Sequence, residues 1–351
     1  MNTIRLNGKN VAFEPGKTIL EAARAHGVDI PTLCYLQAAD HKGVCRICVV
    51  EVEGADRLLP SCATPAVDGM VVETHSERVV EARKSILELL LAHGDHNCLF
   101  CHANGDCRLQ ELVYEHGFAQ MPPTPPHEPR PIDDATPMIV RDFGKCVLCG
   151  RCVAACNDVQ VNDAIPYPFG KREEKPLPEG WFPFADYDRC VHCGECVQAC
   201  PVGALVEKKA MWMARPWETS KIRTTCPYCG VGCQLWLHVK DGRIVKVTGV
   251  EDGSPNKGRL CVKGRFGYDF IYSEDRLKTP LIRENGGFRE ASWDEALDLV
   301  ANKFKETISR HGPDAVAGVS CSRSINEDSY QMQKLFRAVL GTNNIDNCAR
   351  T

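Results

Sequence analysis

Cys146-Val147-Leu148-Cys149-Gly150-Arg151-Cys152-Val153-Ala154-Ala155-Cys156 is answered 44 residues later by Cys190-Val191-His192-Cys193-Gly194-Glu195-Cys196-Val197-Gln198-Ala199-Cys200, which Pro201 follows. Both halves read C-x2-C-x2-C-x3-C, so eight thiols recur in register. Thiolate is a soft donor suited to zinc or to iron–sulfur clusters. Zinc accounts poorly for eight ligands repeated in one spacing, because a structural zinc site closes with four. Asn157 stands in the first half where the second has Pro201, which weakens the turn signal and removes no ligand.

The whole chain has 21 cysteines in 351 residues. Disulfide-stapled secreted modules are usually below about 100 residues, and an odd count would leave one thiol over. The N-terminus, Met-Asn-Thr-Ile-Arg-Leu-Asn, has neither an apolar export core nor a twin-Arg pair. The longest aliphatic run, Ile86 to Ala92, is broken by Glu88 and too short to span a bilayer. A reduced, cytoplasmic chain with no transmembrane segment is therefore expected. The net charge of −4 leaves no basic footprint for nucleic acid. Hydrophobic content of 44% with 25% charged residues is that of a globular protein.

Outward from the repeat, residues 1–13 read as two strands about an Asn7-Gly8 turn. Thr18 and Glu21 form a capping box for a helix that Gly27 ends. A second helix is expected from about Glu77 to Ala92. Seven prolines between Met121 and Pro137 predict an extended strap, and a second Pro-rich excursion runs from Pro166 to Pro183. After Cys261 strand and helix signals alternate: Ser292 with Glu295 opens a helix to about Arg310, Ala315 to Ser320 reads as a buried strand, and Asn326 caps a helix that Gly341 closes.

Three further cysteine sets flank the repeat. Cys34, Cys45, Cys48 and Cys62 follow C-x10-C-x2-C-x13-C, with a zinc knuckle as the alternative. Cys98, Cys101 and Cys107 are one ligand short of four, with His93, His96 and His102 nearby. Cys226, Cys229, Cys233 and Cys261 lie in TCPYCGVGC (225–233) and GRLCVKGRFG (258–267). Cys321 and Cys348 have no partners by spacing and are expected to be buried packing thiols.

The first set resembles a stretched plant-type [2Fe-2S] ferredoxin, as in the electron-input modules of respiratory complex I and related hydrogenases. His96-Asn97-Cys98 resembles the small iron–sulfur subunit of NAD-linked hydrogenases, which implies His96 as the fourth ligand of a [4Fe-4S] cluster, His93 as the alternative, and His102 as an exposed loop residue. The complex I large subunit instead places its His where Gly94 stands. The repeat resembles two-cluster ferredoxins, whose crossed ligation assigns Cys146, Cys149, Cys152 and Cys200 to one [4Fe-4S] cluster and Cys190, Cys193, Cys196 and Cys156 to the other. The last set resembles the N-terminal [4Fe-4S] module of molybdenum or tungsten bis-pterin oxidoreductases. Lys263 then matches the lysine that the family places between cluster and pterin as an electron relay.

Taken in order, with GPDAVAGVS (312–320) and GTNNIDNCART (341–351), the chain resembles the catalytic α subunit of cytoplasmic NAD-linked formate dehydrogenases over essentially its whole length. The resemblance implies an α+β multidomain chain: a β-grasp [2Fe-2S] ferredoxin (1–78), a His/Cys3 [4Fe-4S] module (79–118), a Pro-rich linker (119–138), a two-cluster [4Fe-4S] ferredoxin (139–215), a bis-pterin-type [4Fe-4S] module (216–275) and the start of an α/β molybdopterin oxidoreductase domain (276–351). It implies one [2Fe-2S] and four [4Fe-4S] clusters. It further implies interconversion of formate and CO2 at Mo or W held by two pterin guanine dinucleotides in the full-length enzyme. Electrons would pass toward flavin- and NAD-binding partner subunits, with a hydrogenase as a further partner the resemblance allows. The family's metal-ligating Cys or selenocysteine follows directly on the stretch that ends here at Thr351, so a selenocysteine codon read as a stop is expected, with the 351 residues alone acting as an electron-transfer module. The other readings are an iron–sulfur subunit of a hydrogenase, or of a complex I-like NADH dehydrogenase, whose usual form lacks the 146–200 repeat. A zinc scaffold is the non-redox alternative.

Overall fold

The structure is a computed structural model that describes residues 2–39, 43–123, 129–166 and 186–348. Part of the Pro-rich strap, nearly all of the second Pro-rich excursion and the last three residues lie outside the described residues. The chain divides into two compact units, residues 1–220 with 239–246 and residues 221–238 with 247–351.

In the first unit β1 (Asn2–Leu6) and β2 (Lys9–Phe13) pair antiparallel about the expected turn, Asn7 taking the left-handed conformation that the turn requires. Ile4, Leu6, Val11 and Phe13 alternate onto one buried face. The helix α1 (Ile19–Ala25) opens on the full Thr18–Glu21 capping box. With β3 (Val49–Val52), β4 (Leu59–Pro60) and β5 (Val71–Glu73) the strands form a mixed sheet in the order β2-β1-β5-β3-β4. β5 returns parallel beside β1. Ile19, Leu20, Val50 and Val72 close the core between α1 and this sheet, and Cys48 and Cys62 belong to the same core. This is the β-grasp arrangement expected of the N-terminal ferredoxin.

The helix α2 (Glu77–Ala92) starts at Ser76, whose hydroxyl accepts from Val79 N–H, and α3 (Arg108–Glu115) follows Cys107. Leu87 and Leu91 of α2 meet Leu109 and Leu112 of α3, Leu33 and Ile47 of the cysteine loop, and Val147, Val202 and Ala204 of the repeat in one second core. Cys45, Cys107, Cys146, Cys149 and Cys200 pack on its rim. Three cysteine sets thus share one apolar support.

The repeat is framed by β6 (Ile132–Asp133), β7 (Ile139–Asp142) and β8 (Leu205–Glu207), an antiparallel sheet in that order. Its two halves have one backbone. Leu148 and His192, each before the second cysteine, have φ of 50° and 51°. Gly150 and Gly194, each after it, have φ of 75° and 72° and cap α4 (Arg151–Ala154) and α5 (Glu195–Ala199). Glycine suits the latter position because a Cβ is strained there. In the first half a π-helical turn, Ala155–Val159, continues α4, and Asn157 within it donates to the Ile165 carbonyl at 2.7 Å, holding the chain where the second half uses Pro201.

Strands β9 (Ser220–Thr225), β10 (Gln234–Lys240) and β11 (Arg243–Gly249) form a three-stranded sheet. In the second unit α6 (Val262–Phe266) starts at Cys261, and β12 (Leu281–Glu284) and β13 (Gly287–Glu290) form a hairpin. α7 (Trp293–His311) is capped by Ser292, which accepts from Glu295 N–H; the Glu295 carboxylate turns to Arg289 instead of closing the box. α7 has no buried side chain, and Trp293, Leu297 and Val300 are exposed.

Three local expectations are corrected here. The strand expected from Ala315 to Ser320 is β14 (Gly318–Ser320), paired parallel to β15 (Ile345–Asn347), after a 3-10 turn at Pro313–Ala315; Val319 is exposed because only one face of this short pair is covered. Asn326 is the first residue of α8 (Asn326–Lys334) and not its cap, Ile325 taking that place, because the Asn326 amide donates to the Gly230 carbonyl at 2.7 Å. Gly341 does close this helical segment, in the left-handed conformation. Cys321 and Cys348 are half-buried and meet each other.

Candidate metal centres

The thiols of each expected set come together. Hydrogen bonding with Cys45 and Cys62 holds Cys34, and hydrogen bonding with Cys62 holds Cys48, below the ordinary thiol range, and the same interactions push Cys45 and Cys62 above it. Arg83 on α2 is 2% exposed and donates to the Val49 carbonyl at 2.9 Å. Burial pulls its guanidinium down to about 10, against the opposing influence of Cys48 and then Asp29. A buried cation beside this set was not legible from spacing.

In the repeat, Cys146, Cys149, Cys152 and Cys200 line one cavity of about 40 Å³, closed by Phe143, Val147, Val153, Val202 and Leu205. Cys200 comes from the far half and interacts with Cys146, while Cys156 of the near half is grouped electrostatically with Cys190 and Cys196. Burial is the main cause pushing Cys149, Cys152, Cys196 and Cys200 above the ordinary thiol range, with neighbouring thiolates adding to it at Cys149 and Cys152. Backbone amides offset part of this, as where Leu148 N–H donates to Cys146 Sγ at 3.4 Å.

Arg141 is 2% exposed and also lines the cavity. Burial lowers its pKa, but Cys196, Tyr187, Cys152 and Asp133 together carry it above the usual value. Its influence therefore reaches one thiol from each crossed set. Spacing rules carry no sign of it, since it lies five residues before the first ligand on β7.

Cys98, Cys101 and Cys107 are mutually close, and burial pushes Cys107 up to about 11. Arg215 clamps this loop by donating to the Cys101 and Leu99 carbonyls at 2.6 and 2.8 Å. Gly203 admits the loop: a Cβ there would lie 2.4 Å from Cys101 Sγ. His96 hydrogen-bonds through Nε2 to the Leu90 carbonyl at 3.0 Å, and burial lowers its pKa. A carbonyl can only accept, so Nε2 carries the proton and Nδ1 keeps its lone pair. Metal-binding imidazoles are commonly oriented in this way. His93 is exposed, and its peptide carbonyl accepts from Arg130. His102 is half-buried, its ring edge-on to Trp212 at 4.1 Å, and is not the exposed loop residue expected.

Cys226, Cys229, Cys233 and Cys261 also fall within electrostatic reach of one another, with Cys261 at the start of α6. Gly264 approaches Cys226 Sγ at 3.4 Å from a built Cβ. Lys263 is exposed, whereas Arg265, two residues on, is 2% exposed. Among the described residues no three His, Cys, Asp or Glu side chains close on a single-ion site. The sets nonetheless fit thiolate-held polynuclear groups: soft donors in threes and fours, an apolar cavity that four of them line, and a backbone amide donating to a sulfur.

Family models match along the chain in series: a 2Fe-2S iron-sulfur cluster binding domain at 1–77, the NADH-ubiquinone oxidoreductase-G iron-sulfur binding region at 83–121, a 4Fe-4S dicluster domain at 145–204, a molybdopterin oxidoreductase Fe4S4 domain at 219–273 and a molybdopterin oxidoreductase domain at 276–351. Residues 83–121 thus form an iron–sulfur module of the NADH-ubiquinone oxidoreductase-G type, and residues 276–351 match a molybdopterin oxidoreductase domain. The chain is 38% identical to the NADPH-Fe(3+) oxidoreductase subunit alpha of Geobacter sulfurreducens over 357 residues, covering all of this chain and 40% of that one. It is 37% identical to a G-type NADH-quinone oxidoreductase chain of Rhizobium meliloti, with 100% and 40% covered. It is 34% identical to a provisionally named formate dehydrogenase of Bacillus subtilis, with 99% and 40% covered. The chain thus spans about 40% of the length of these relatives. Among the described residues no helix is long and apolar enough to cross a membrane.

Proposed function

We propose that this chain is the electron-transfer part of a molybdopterin-dependent oxidoreductase, holding one [2Fe-2S] and four [4Fe-4S] clusters, and that the whole enzyme interconverts formate and CO2. What supports the electron-transfer reading is that Cys200 of the far half lines one cavity with Cys146, Cys149 and Cys152, while Cys156 of the near half lies within electrostatic reach of Cys190 and Cys196. When bound, such clusters supply one-electron carriers at closely tuned potentials. The chain's own residues do the rest. Thiolates of the four all-cysteine sets bind, and His96 Nδ1 completes the set of Cys98, Cys101 and Cys107. The apolar wall of Phe143, Val153 and Leu205 excludes water from the first repeat site. Arg83 and Arg141 hold positive charge in low dielectric beside anionic sites, and Lys263 is proposed as a relay toward the pterin.

Formate rests on the provisionally named relative and on the motif resemblance; the relatives named for NADH and NADPH oxidation are as similar. Flavin- and NAD-binding partner subunits are proposed on the same ground. Anaerobically purified protein should contain about 18 iron atoms per chain and bleach with dithionite. About five metal ions as zinc, one per ligand set, with no visible band, would overturn the cluster reading. For the whole enzyme, formate should bleach the clusters without added nucleotide; bleaching by NADH or NADPH alone would replace formate with a nicotinamide donor.

A further inference from the structure

Cys321 directly follows β14 and Cys348 directly follows β15, and the parallel register Ser320↔Asn347 brings the two side by side. Their sulfurs are 3.3 Å apart. The Arg323 N–H donates to Cys321 Sγ at 3.3 Å; Ser322 Oγ and Arg323 Nη1 approach Cys348 Sγ at 3.6 and 3.8 Å. Both thiols are half-buried, so a small reagent reaches them. No ligand set includes either one.

We propose that Cys321 and Cys348 form a reversible dithiol–disulfide couple, a modification site for small-molecule disulfides such as oxidised glutathione. Neighbouring strands already place the backbones at the separation a disulfide spans, and the sulfurs need to close by about 1.3 Å to bond. Cys348 is the attacking thiolate. The Ser322 hydroxyl and N–H, then the Cys321 thiol and Arg323, hold it down to about 7. Its lone pair attacks one sulfur of the small disulfide, the S–S bond breaks, and one small thiolate leaves. The Cys321 thiol then loses its proton and displaces the second small thiolate from Cys348. The protein gives up two electrons and two protons, and two small thiols carry them away. The couple is independent of the clusters, so it stands or falls apart from the function proposed above.

The test uses the cluster-loaded chain, exposed anaerobically to oxidised glutathione, quenched with an alkylating agent and digested with trypsin. Peptide 311–323 should be found linked to peptide 338–350, and dithiothreitol should release them. In Cys321→Ser the intermediate should persist as glutathione on Cys348. In Cys348→Ser, Cys321 should be modified more slowly than Cys348 is in the native chain, because the attacking thiolate has been removed. The linked peptide is read in the unaltered chain, so a variant that misfolds does not remove the test. Absence of the link, or glutathione that stays on Cys348 while Cys321 remains alkylatable, overturns the proposal.

Discussion

Arg141 shows how one side chain can act on two sites. It is nearly fully buried, yet its pKa is raised because thiols from both crossed sets and the Asp133 carboxylate surround it. A fixed cation there favours the reduced, more negative form of any cluster held by those thiols. Arg141→Gln should therefore lower the reduction potential of at least one [4Fe-4S] cluster by about 60–120 mV. That corresponds to about 1.4–2.8 kcal/mol, the Coulomb scale of charges several ångströms apart at an effective dielectric near 20. A potentiometric titration followed by electron paramagnetic resonance reads it, and an unchanged potential in a correctly loaded variant would remove Arg141 from that role. Arg141 and Arg83 were both invisible to motif spacing, because burial of a cation is a property of the surroundings and not of its sequence neighbours.

Among elements, α1 is one whose local signals and fold agree. Thr18 accepts from Glu21 N–H while Glu21 accepts from Thr18 N–H at 2.9 Å. Thr18→Ala should destabilise the helix by about 1 kcal/mol, accelerating amide exchange in Ile19–Ala25 by about fivefold. The Thr18 backbone bond, then the Thr18 hydroxyl and Lys17, hold the Glu21 carboxyl below its usual range despite partial burial. A depressed carboxyl pKa stabilises above the unfolded value and is lost as pH falls through the folded one. The box should therefore contribute fully above about pH 5 and fade below about pH 4.5; exchange in α1 that is indifferent to acid would refute it. The paired elements α4 and α5 carry a sharper prediction. Cys146→Ser/Cys200→Ser should lose about four irons, because both serve one cluster, whereas Cys146→Ser/Cys156→Ser should lose about eight. The reverse result would mean that each half holds its own cluster.

At the scale of the molecule, the second core ties α2, α3, the first cysteine loop and the repeat into one support within the first unit. Removing iron leaves buried thiols that burial pushes toward the protonated state, with no metal to satisfy them. Chelation under reducing conditions should therefore loosen α3, residues 146–166 and residues 186–205 together, while β1 and β2 keep their exchange protection through Ile4, Leu6, Ile19 and Leu20. Hydrogen exchange resolves this, and loosening of one segment without the other would show separate supports.

Much of this architecture could be read from residues alone. The cysteine spacings, the Asn7-Gly8 turn, the Thr18 box and the 44-residue repeat are local, since turn geometry, capping and ligand reach all act within a few residues. The same locality explains the failures. Asn326 looked like a cap and is drawn away by Gly230, nearly a hundred residues earlier. His102 looked exposed and is covered by Trp212. Cys321 and Cys348, 27 residues apart, looked like two unrelated packing thiols. Sequence by itself determined which side chains can bind metal and in what groups of three or four. Only the tertiary structure decided which arginines lie buried beside the cysteine sets and that two spare thiols meet, because these depend on chain segments that long-range packing alone brings together.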